Sequence, residues 1–402
     1  MTLPYRTVTA RSLPATAALA LSLAALAALC LAQRIPMADT LVYRAEGAAV
    51  ANGTDLYGFT VTHWQLPAAC PPFAAILFVP TTWLPVAALK VVFVAGNALL
   101  LALLVRLSCR FAGLSASLPA VLAATAVGLW LEPVFQTLVF GQINLALVCL
   151  VLWDLSRPDD AVGKGFALGV AAGVKLTPAV FVVLLLITGR RRCGLTALAS
   201  FAGTVLLGAL VLPEASADFW TRRVLETDRV GTAWIVDNQS LQGLFARLLH
   251  TTEPGAVWAA AALLTAVAAL WTARRAPERW AVLAVAFAAL LVSPISWSHH
   301  WVWCVPLLAV LIAEGRRGTA ALMAAIFLAR SMWLVPHAGD LDLRLPWWQQ
   351  PLASPYAPLG LAVLALAALR ARDGGDGDGG VPGQRRTAAT GAAPGAGTGA
   401  AR

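Results

Sequence analysis

The chain is 402 residues long, 59% apolar and only 12% charged, against about 45–50% apolar and about 25% charged for an ordinary soluble domain. So few charges cannot clothe an apolar core of this size, which excludes a cytosolic enzyme and leaves a polytopic integral membrane protein. The net charge of +9 sits largely in short basic clusters between apolar runs, a pattern of membrane topology signals and not of a nucleic-acid surface.

From the N-terminus, Arg6 and Arg11 precede an uncharged run over residues 15–32. It is long for the apolar part of a signal peptide and no A-x-A site follows, so a retained first helix with its N-terminus in the cytoplasm is expected. A long outer loop, residues 33–67, comes next. From Asp39 to Tyr57 it reads D-T-L-V-Y-R-A-E-G-A-A-V-A-N-G-T-D-L-Y. Apolar and small residues recur there at helical spacing, which places Asp39 at a helix N-terminus and makes Asn52-Gly53 and Asp55 turn residues. Residues 68–89 hold Pro71, Pro72, Pro80 and Pro85 and predict broken interfacial helices.

Runs over 91–105, 117–131 and 137–153 then read as successive crossings, the first ending on Arg106 and Arg110 and the third returning to Arg157 and Lys164. Residues 165–187 are flanked by basic clusters at both ends, so a single crossing would break the positive-inside rule. The middle, Lys175-Leu176-Thr177-Pro178, predicts two short helices meeting at a charge and a helix breaker. Further spans follow over 195–212, 256–273, 281–297, 301–313, 319–335 and 352–369, with a second long outer loop at 213–254. The tail 370–402 is rich in Gly, Ala and Pro and is expected to be a disordered cytoplasmic segment. The sum is one all-α polytopic domain over residues 1–369, a bundle of about 10–13 transmembrane helices with extracytoplasmic interfacial helices, embedded in the plasma membrane. No internal repeat is visible. The six cysteines (Cys30, Cys70, Cys109, Cys149, Cys193, Cys304) stand singly, with neither C-x-x-C metal spacing nor a disulfide framework.

Four features carry chemistry. Asp39 would be kept ionised by the free N–H groups and dipole of its helix, although an N-cap needs no further role. The block S-P-I-S-W-S-H-H-W-V-W from Ser293 to Trp303 sets His299 and His300 beside a helix break. Imidazoles there could bind phosphate or relay protons, while the tryptophans alone would read as an aromatic belt. Lys175 and Arg330 are charges inside apolar runs; such charges face polar cavities by default, with snorkelling as the plain alternative. Gln142 and Asn144, in F-G-Q-I-N at the opening of a membrane helix, are placed to line an outer cavity or to bond a neighbouring helix. The D-x-D at Asp340 and Asp342 lies in an outer loop, where nucleotide sugars are not expected, and is set aside.

Six segments in order resemble one family: the Asp39–Tyr57 loop, C-P-P-F-A-A-I-L-F-V-P from Cys70, F-G-Q-I-N, G-V-A-A-G-V-K-L-T-P from Gly169, D-N-Q-S-L-Q-G from Asp237, and the S-P-I-S-W-S-H-H-W block. They are similar to glycosyltransferase family 87, the membrane mannosyltransferases of actinobacteria with the GT-C fold. The sequence departs at Ala69-Cys70, where the family usually has an aromatic residue before the prolines. The resemblance implies a polyprenyl-phosphate mannose donor and glycolipid or glycan acceptors of the phosphatidylinositol mannoside, lipomannan or lipoarabinomannan type. It further implies inversion at the anomeric carbon on the outer face of the membrane, with Asp39 as catalytic base.

The residues suit that chemistry independently. An inverting transfer needs one carboxylate to take the acceptor's proton and positive charge around a phosphate leaving group. Lys175, His299, His300 and Arg330 are candidates for the charge, Gln142 and Asn144 for orienting sugar or phosphate. Tyr43, Asp55, Asn238 and Gln239 are candidates for the acceptor side or the loops. With no diphosphate to clamp, neither metal nor cofactor is expected. The alternatives are transfer of another lipid-linked sugar such as arabinose, and a glycolipid transporter or flippase that would not need the acid after helix one.

Overall fold

The computed structural model describes residues 5–33 and 35–376. It is helical apart from a two-stranded hairpin, β1 (Thr60–Val61) paired antiparallel with β2 (Leu66–Pro67). The helices in chain order are α1 (Tyr5–Ala32), α2 (Ala38–Asn52), α3 (Pro72–Phe78), α4 (Val86–Ala112), α5 (Leu118–Gly128) and α6 (Glu132–Phe140). Then come α7 (Asn144–Leu155), α8 (Phe166–Val174), α9 (Val180–Ile187), α10 (Arg191–Val211), α11 (Pro213–Asp218) and α12 (Leu241–Leu248). The last are α13 (Gly255–Ala273), α14 (Glu278–Val292), α15 (Cys304–Ala313), α16 (Arg317–Ala329), α17 (Gln350–Ala353) and α18 (Tyr356–Asp376).

Among the described residues four helices are long and apolar enough to cross a bilayer by themselves: α1 over Ser12–Ala32, α4, α10 and α13. Each leaves large apolar side chains exposed, for example Leu31, Leu99, Leu210 and Leu264, all above 69%, as a lipid-facing surface requires. These helices establish a polytopic membrane protein of the expected all-α class. The expected ten to thirteen crossings are not ten to thirteen clean helices, however. α5 and α6 form a pair bent by 76°, and the run over 137–153 is split at Gly141 between α6 and α7. Residues 165–187 divide at Lys175–Pro178 into α8 and α9, and 68–89 into α3 and a 3₁₀ turn over Val79–Trp83, both as predicted. The breaks coincide with Pro and Gly, where a helix loses a donor or turns left-handed.

α14 is the core: residues 280 to 288 are buried without interruption, as expected of a helix apolar on every side. It lies against α13, α18 and α9. Beside it Trp301 meets Phe287 edge-on at 5.7 Å and Tyr356 at 5.4 Å. The loop after α11 is held to this core by Arg247. That fully buried guanidinium donates to the carbonyls of Trp234, Ile235 and Asn238 and to Ser354 Oγ at 2.8–3.1 Å.

One boundary moves. α18 runs past the expected tail start at 370, because Arg370 is held by Glu314 at 2.6 Å and by Asp373 at 3.4 Å. The rest of the expected tail, 377–402, lies outside the described residues.

Candidate active site

Asp39 stands in the first turn of α2, after Met37 in a left-handed conformation (φ 53°). Only a tight surround keeps a bulky residue there. Thr40, Tyr43 and Gly47 recur three and four residues apart, so they share the buried face of α2. Thr40 Oγ1 donates to the Gly141 carbonyl at 3.3 Å, and the Tyr43 hydroxyl donates to Gln142 Oε1 at 2.7 Å. Tyr43 also stacks on Phe78 at 4.4 Å. The start of α2 is thereby clamped onto the break between α6 and α7. Gly141 has φ +70°, and a Cβ there would overlap Thr40 Oγ1, so only glycine permits this approach.

The same break presents Gln142 to Asp39, whose carboxyl it hydrogen-bonds. Burial raises the Asp39 carboxyl to about 6; Gln142 and Lys175 oppose the rise and the nearby Asp237 carboxylate adds to it. Such a group is ionised at neutral pH yet basic enough to take a proton, the range a general base needs.

Lys175 occupies the break between α8 and α9 in an extended conformation (φ −148°, ψ 133°). Its ammonium donates to Asn144 Oδ1 at 3.1 Å and to His300 Nε2 at 3.0 Å. An ammonium has only donors, so His300 accepts at Nε2 as a neutral imidazole. Asn144 in turn donates to the His299 carbonyl at 2.9 Å, as Thr137 does at 3.2 Å. The His299 ring packs against Phe140 at 5.6 Å and His300 at 4.7 Å, and both its buried ring nitrogens lack a hydrogen-bond partner among the described residues. Lys175, Asn144 and His300 line a small open cleft, together with Thr177, Ser293 and Ser296. The other walls include Leu147, Val151, Phe181, Leu290 and Trp303. Its lining is mostly apolar.

Asp39, Tyr43, Gln142, Asn144, Lys175, His299 and His300 are therefore brought together, as their sequence positions suggested. Four other candidates are not. Arg330 caps the C-terminus of α16, lies over the Phe135 ring at 3.8 Å and donates to the Trp130 carbonyl at 3.3 Å; it does not line the cleft. Asp55 is exposed and accepts from the Tyr57 N–H at 2.9 Å, a local turn. Asn238 and Gln239 are fully buried, with side chains spent on the backbone. Asn238 Oδ1 accepts from Ser296 N–H at 2.9 Å, and Gln239 Nε2 donates to the Ala353 carbonyl at 2.8 Å. They fasten the segment between α11 and α13 instead of offering groups to an acceptor. Asp342 of the D-x-D is likewise buried and accepts from Val236 N–H at 3.2 Å.

Sequence reasoning passed over two acids. Asp237 precedes Asn238 and accepts from the Ser298 N–H at 3.1 Å, bracing the turn that carries His299 and His300. Its carboxyl is raised by burial and faces that of Asp39. Glu46 lies seven residues after Asp39 on the buried side of α2 and accepts from the N–H groups of Ala69 and Cys70 at 3.1 and 3.3 Å. Burial raises it to about 7. The spacing i, i+7 was the signal that could have found it. For Asp237 the only signal was its place in the D-N-Q-S-L-Q-G segment.

Fold and site define a multi-pass membrane protein whose broken helices bring a lysine and an imidazole to a mostly apolar cleft, with a buried carboxylate nearby. The chain belongs to glycosyltransferase family 87, whose sequence model matches residues 70–294. It is 35% identical to a polyprenol-phosphate-mannose-dependent alpha-(1-2)-phosphatidylinositol mannoside mannosyltransferase of Mycobacterium tuberculosis, over 82% of this chain and 84% of that protein. Identity is 34% to the protein of the same description from Mycolicibacterium smegmatis, over 84% of each. A Mycobacterium tuberculosis pentamannoside mannosyltransferase is 32% identical over 83% of this chain and 81% of its own length. No solved structure matches the chain. The expected family and the expected enzyme class, a glycosyltransferase, are thus borne out, and the relatives do not favour a transporter.

Proposed function

We propose that this enzyme transfers mannose from polyprenyl-phosphate mannose to a phosphatidylinositol mannoside or a related mannosylated lipid or polymer, inverting the anomeric centre, at the outer face of the plasma membrane. The observation that carries the proposal is that Asp39, bonded to Gln142 at the α6–α7 break, feels the charge of Lys175, which with His300 and Asn144 lines the adjoining cleft. On this reading the donor's isoprenoid chain lies against the apolar wall of Leu147, Val151, Phe181 and Leu290, and its phosphate meets the Lys175 ammonium. The unpartnered ring nitrogens of His299 are available to sugar or phosphate oxygens.

The acceptor hydroxyl attacks the anomeric carbon from the side opposite the phosphate while Asp39 takes its proton. The new carbon–oxygen bond forms as the carbon–oxygen bond to phosphate breaks, and polyprenyl phosphate leaves with the electron pair. Lys175 holds the charge that develops there. Phosphate is a good leaving group without protonation, so a second acid is not required. An inverting transfer that forms the alpha-(1-2) linkage in the relatives' names requires a β-linked donor.

The test is incubation of purified protein with polyprenyl-phosphate mannose and a panel of phosphatidylinositol mannosides, followed by linkage analysis. Formation of an α-(1→2) mannosyl product is expected. Absence of product across the panel, or a rate unchanged in Asp39→Asn, sinks the reading.

A further inference from the structure

Two cations on α2 and at the start of α4, Arg44 and Lys90, have no part in the chemistry above. Arg44 is on α2 itself, five residues after Asp39, and uses Nη1 for the carbonyls of Thr81 and Leu84, both at 2.6 Å. Lys90, early in α4, donates to the Ile35 carbonyl at 3.3 Å, four residues before Asp39. Among the described residues neither is paired with a carboxylate. Backbone carbonyls fix the direction of both side chains without neutralising them, so their charge stays available to a ligand.

The surface around the pair is apolar and open. Trp83 is 74% exposed and Val91 67%, and Val92, Leu99 and Leu103 continue the exposed strip along α4. In a membrane protein such a strip faces acyl chains, and an indole beside it marks the headgroup level. Two uncompensated cations at the top of a lipid-facing strip match one ligand chemistry, an anionic headgroup carried on acyl chains. A lysine that merely snorkelled would reach for water; Lys90 is turned instead to the segment that leads into Asp39.

We infer that Arg44 and Lys90 hold the phosphodiester of an anionic phospholipid whose chains lie along α4, which directs the headgroup toward Asp39. The inference rests on the mannosyl-transfer reading only in making that lipid the acceptor. Binding can be measured without turnover.

Native mass spectrometry of the full chain, equilibrated with phosphatidylinositol or with phosphatidylcholine of the same acyl chains, is the test. Wild type is expected to retain phosphatidylinositol preferentially, and Arg44→Gln/Lys90→Gln to lose that preference by about a hundredfold, about tenfold for each charge-assisted contact removed. Equal retention of the two lipids by wild type overturns the site, as does a preference left intact in the double variant. Should the double variant not fold, Lys90→Gln alone gives up a single hydrogen bond and is expected to lose part of the preference; no change overturns the inference. Transfer assays on the same preparation separate the two ideas, since a wild type that prefers phosphatidylinositol yet forms no mannoside leaves this site standing and removes the transfer reading.

Discussion

The long helices α1, α4, α10 and α13 and the broken pairs α6–α7 and α8–α9 are made of nearly the same apolar residues and serve opposite ends. The long helices satisfy their backbone internally and turn Leu and Val outward. They need nothing specific from their neighbours. The broken ones interrupt the hydrogen-bond ladder at Gly141–Ile143 and at Lys175–Pro178, and side chains from other elements fill the interruption. Irregular backbone at such a depth is tolerated only where protein or a polar cavity covers it. Those places are therefore where polar chemistry can be housed. Thr40 on Gly141, Tyr43 on Gln142 and Asn144 under Lys175 are the covering contacts.

The sharpest way to break this contrast is Asp39→Asn, expected to lower the transfer rate by about 10³-fold with unchanged expression. The wild-type pH profile of kcat/KM should rise as Asp39 ionises through about pH 6 and be level above. A profile flat between pH 5 and 7 would remove Asp39 as the base. Lys175→Gln keeps a polar group but no charge, and should lower kcat by about 10²-fold. An equal effect on kcat from a neutralised Arg330 would show that the cleft is not where the phosphate sits.

Gly141→Ala tests the clamp. A Cβ at positive φ against Thr40 should cost about 1–3 kcal/mol in stability and separate α2 from the break, reducing activity as well. Native stability measured by denaturation in detergent, together with turnover, checks both.

Glu46→Gln gives an oppositely signed effect on stability. Glu46 is raised to about 7 from an ordinary value of 4.5. Between those pH values the folded protein holds a proton that the unfolded chain releases, so wild-type stability should fall as pH rises through the window. The amide removes this slope, retains an oxygen for the Ala69 and Cys70 N–H groups, and should be more stable than wild type at pH 8 by ~1–3 kcal/mol. A variant that is less stable at that pH would mean the carboxylate is favoured in place. At the far end, Leu263→Ala on the lipid-facing side of α13, where Leu263 is 66% exposed, should change stability by no more than about 0.5 kcal/mol.

Much of the site was legible in the sequence because it lies at interruptions. Lys175 before Thr177-Pro178, Gln142 after Gly141 and the histidine pair after Pro294 are each a polar residue beside a helix breaker in an apolar run, and local chemistry suffices to mark them. Asn238 and Gln239 misled because an amide in an outer loop looks the same whether it meets a sugar or a backbone. Arg330 misled because a charge near a helix end is equally at home over an aromatic ring. Asp237 and Glu46 were missed because nothing local distinguishes an acid that braces a neighbouring backbone from one that faces water.

The sequence by itself determined the membrane class, most of the helix breaks and the residue types available for transfer, since hydropathy, prolines and charges act over a few residues. Only the tertiary structure decided that Asp39, 136 positions before Lys175 in the chain, feels the lysine's charge at the α6–α7 break, and which amides are spent on the scaffold. Those outcomes depend on long-range packing, in which a single hydrogen-bond partner from another helix settles whether a polar group is structural or free to meet substrate.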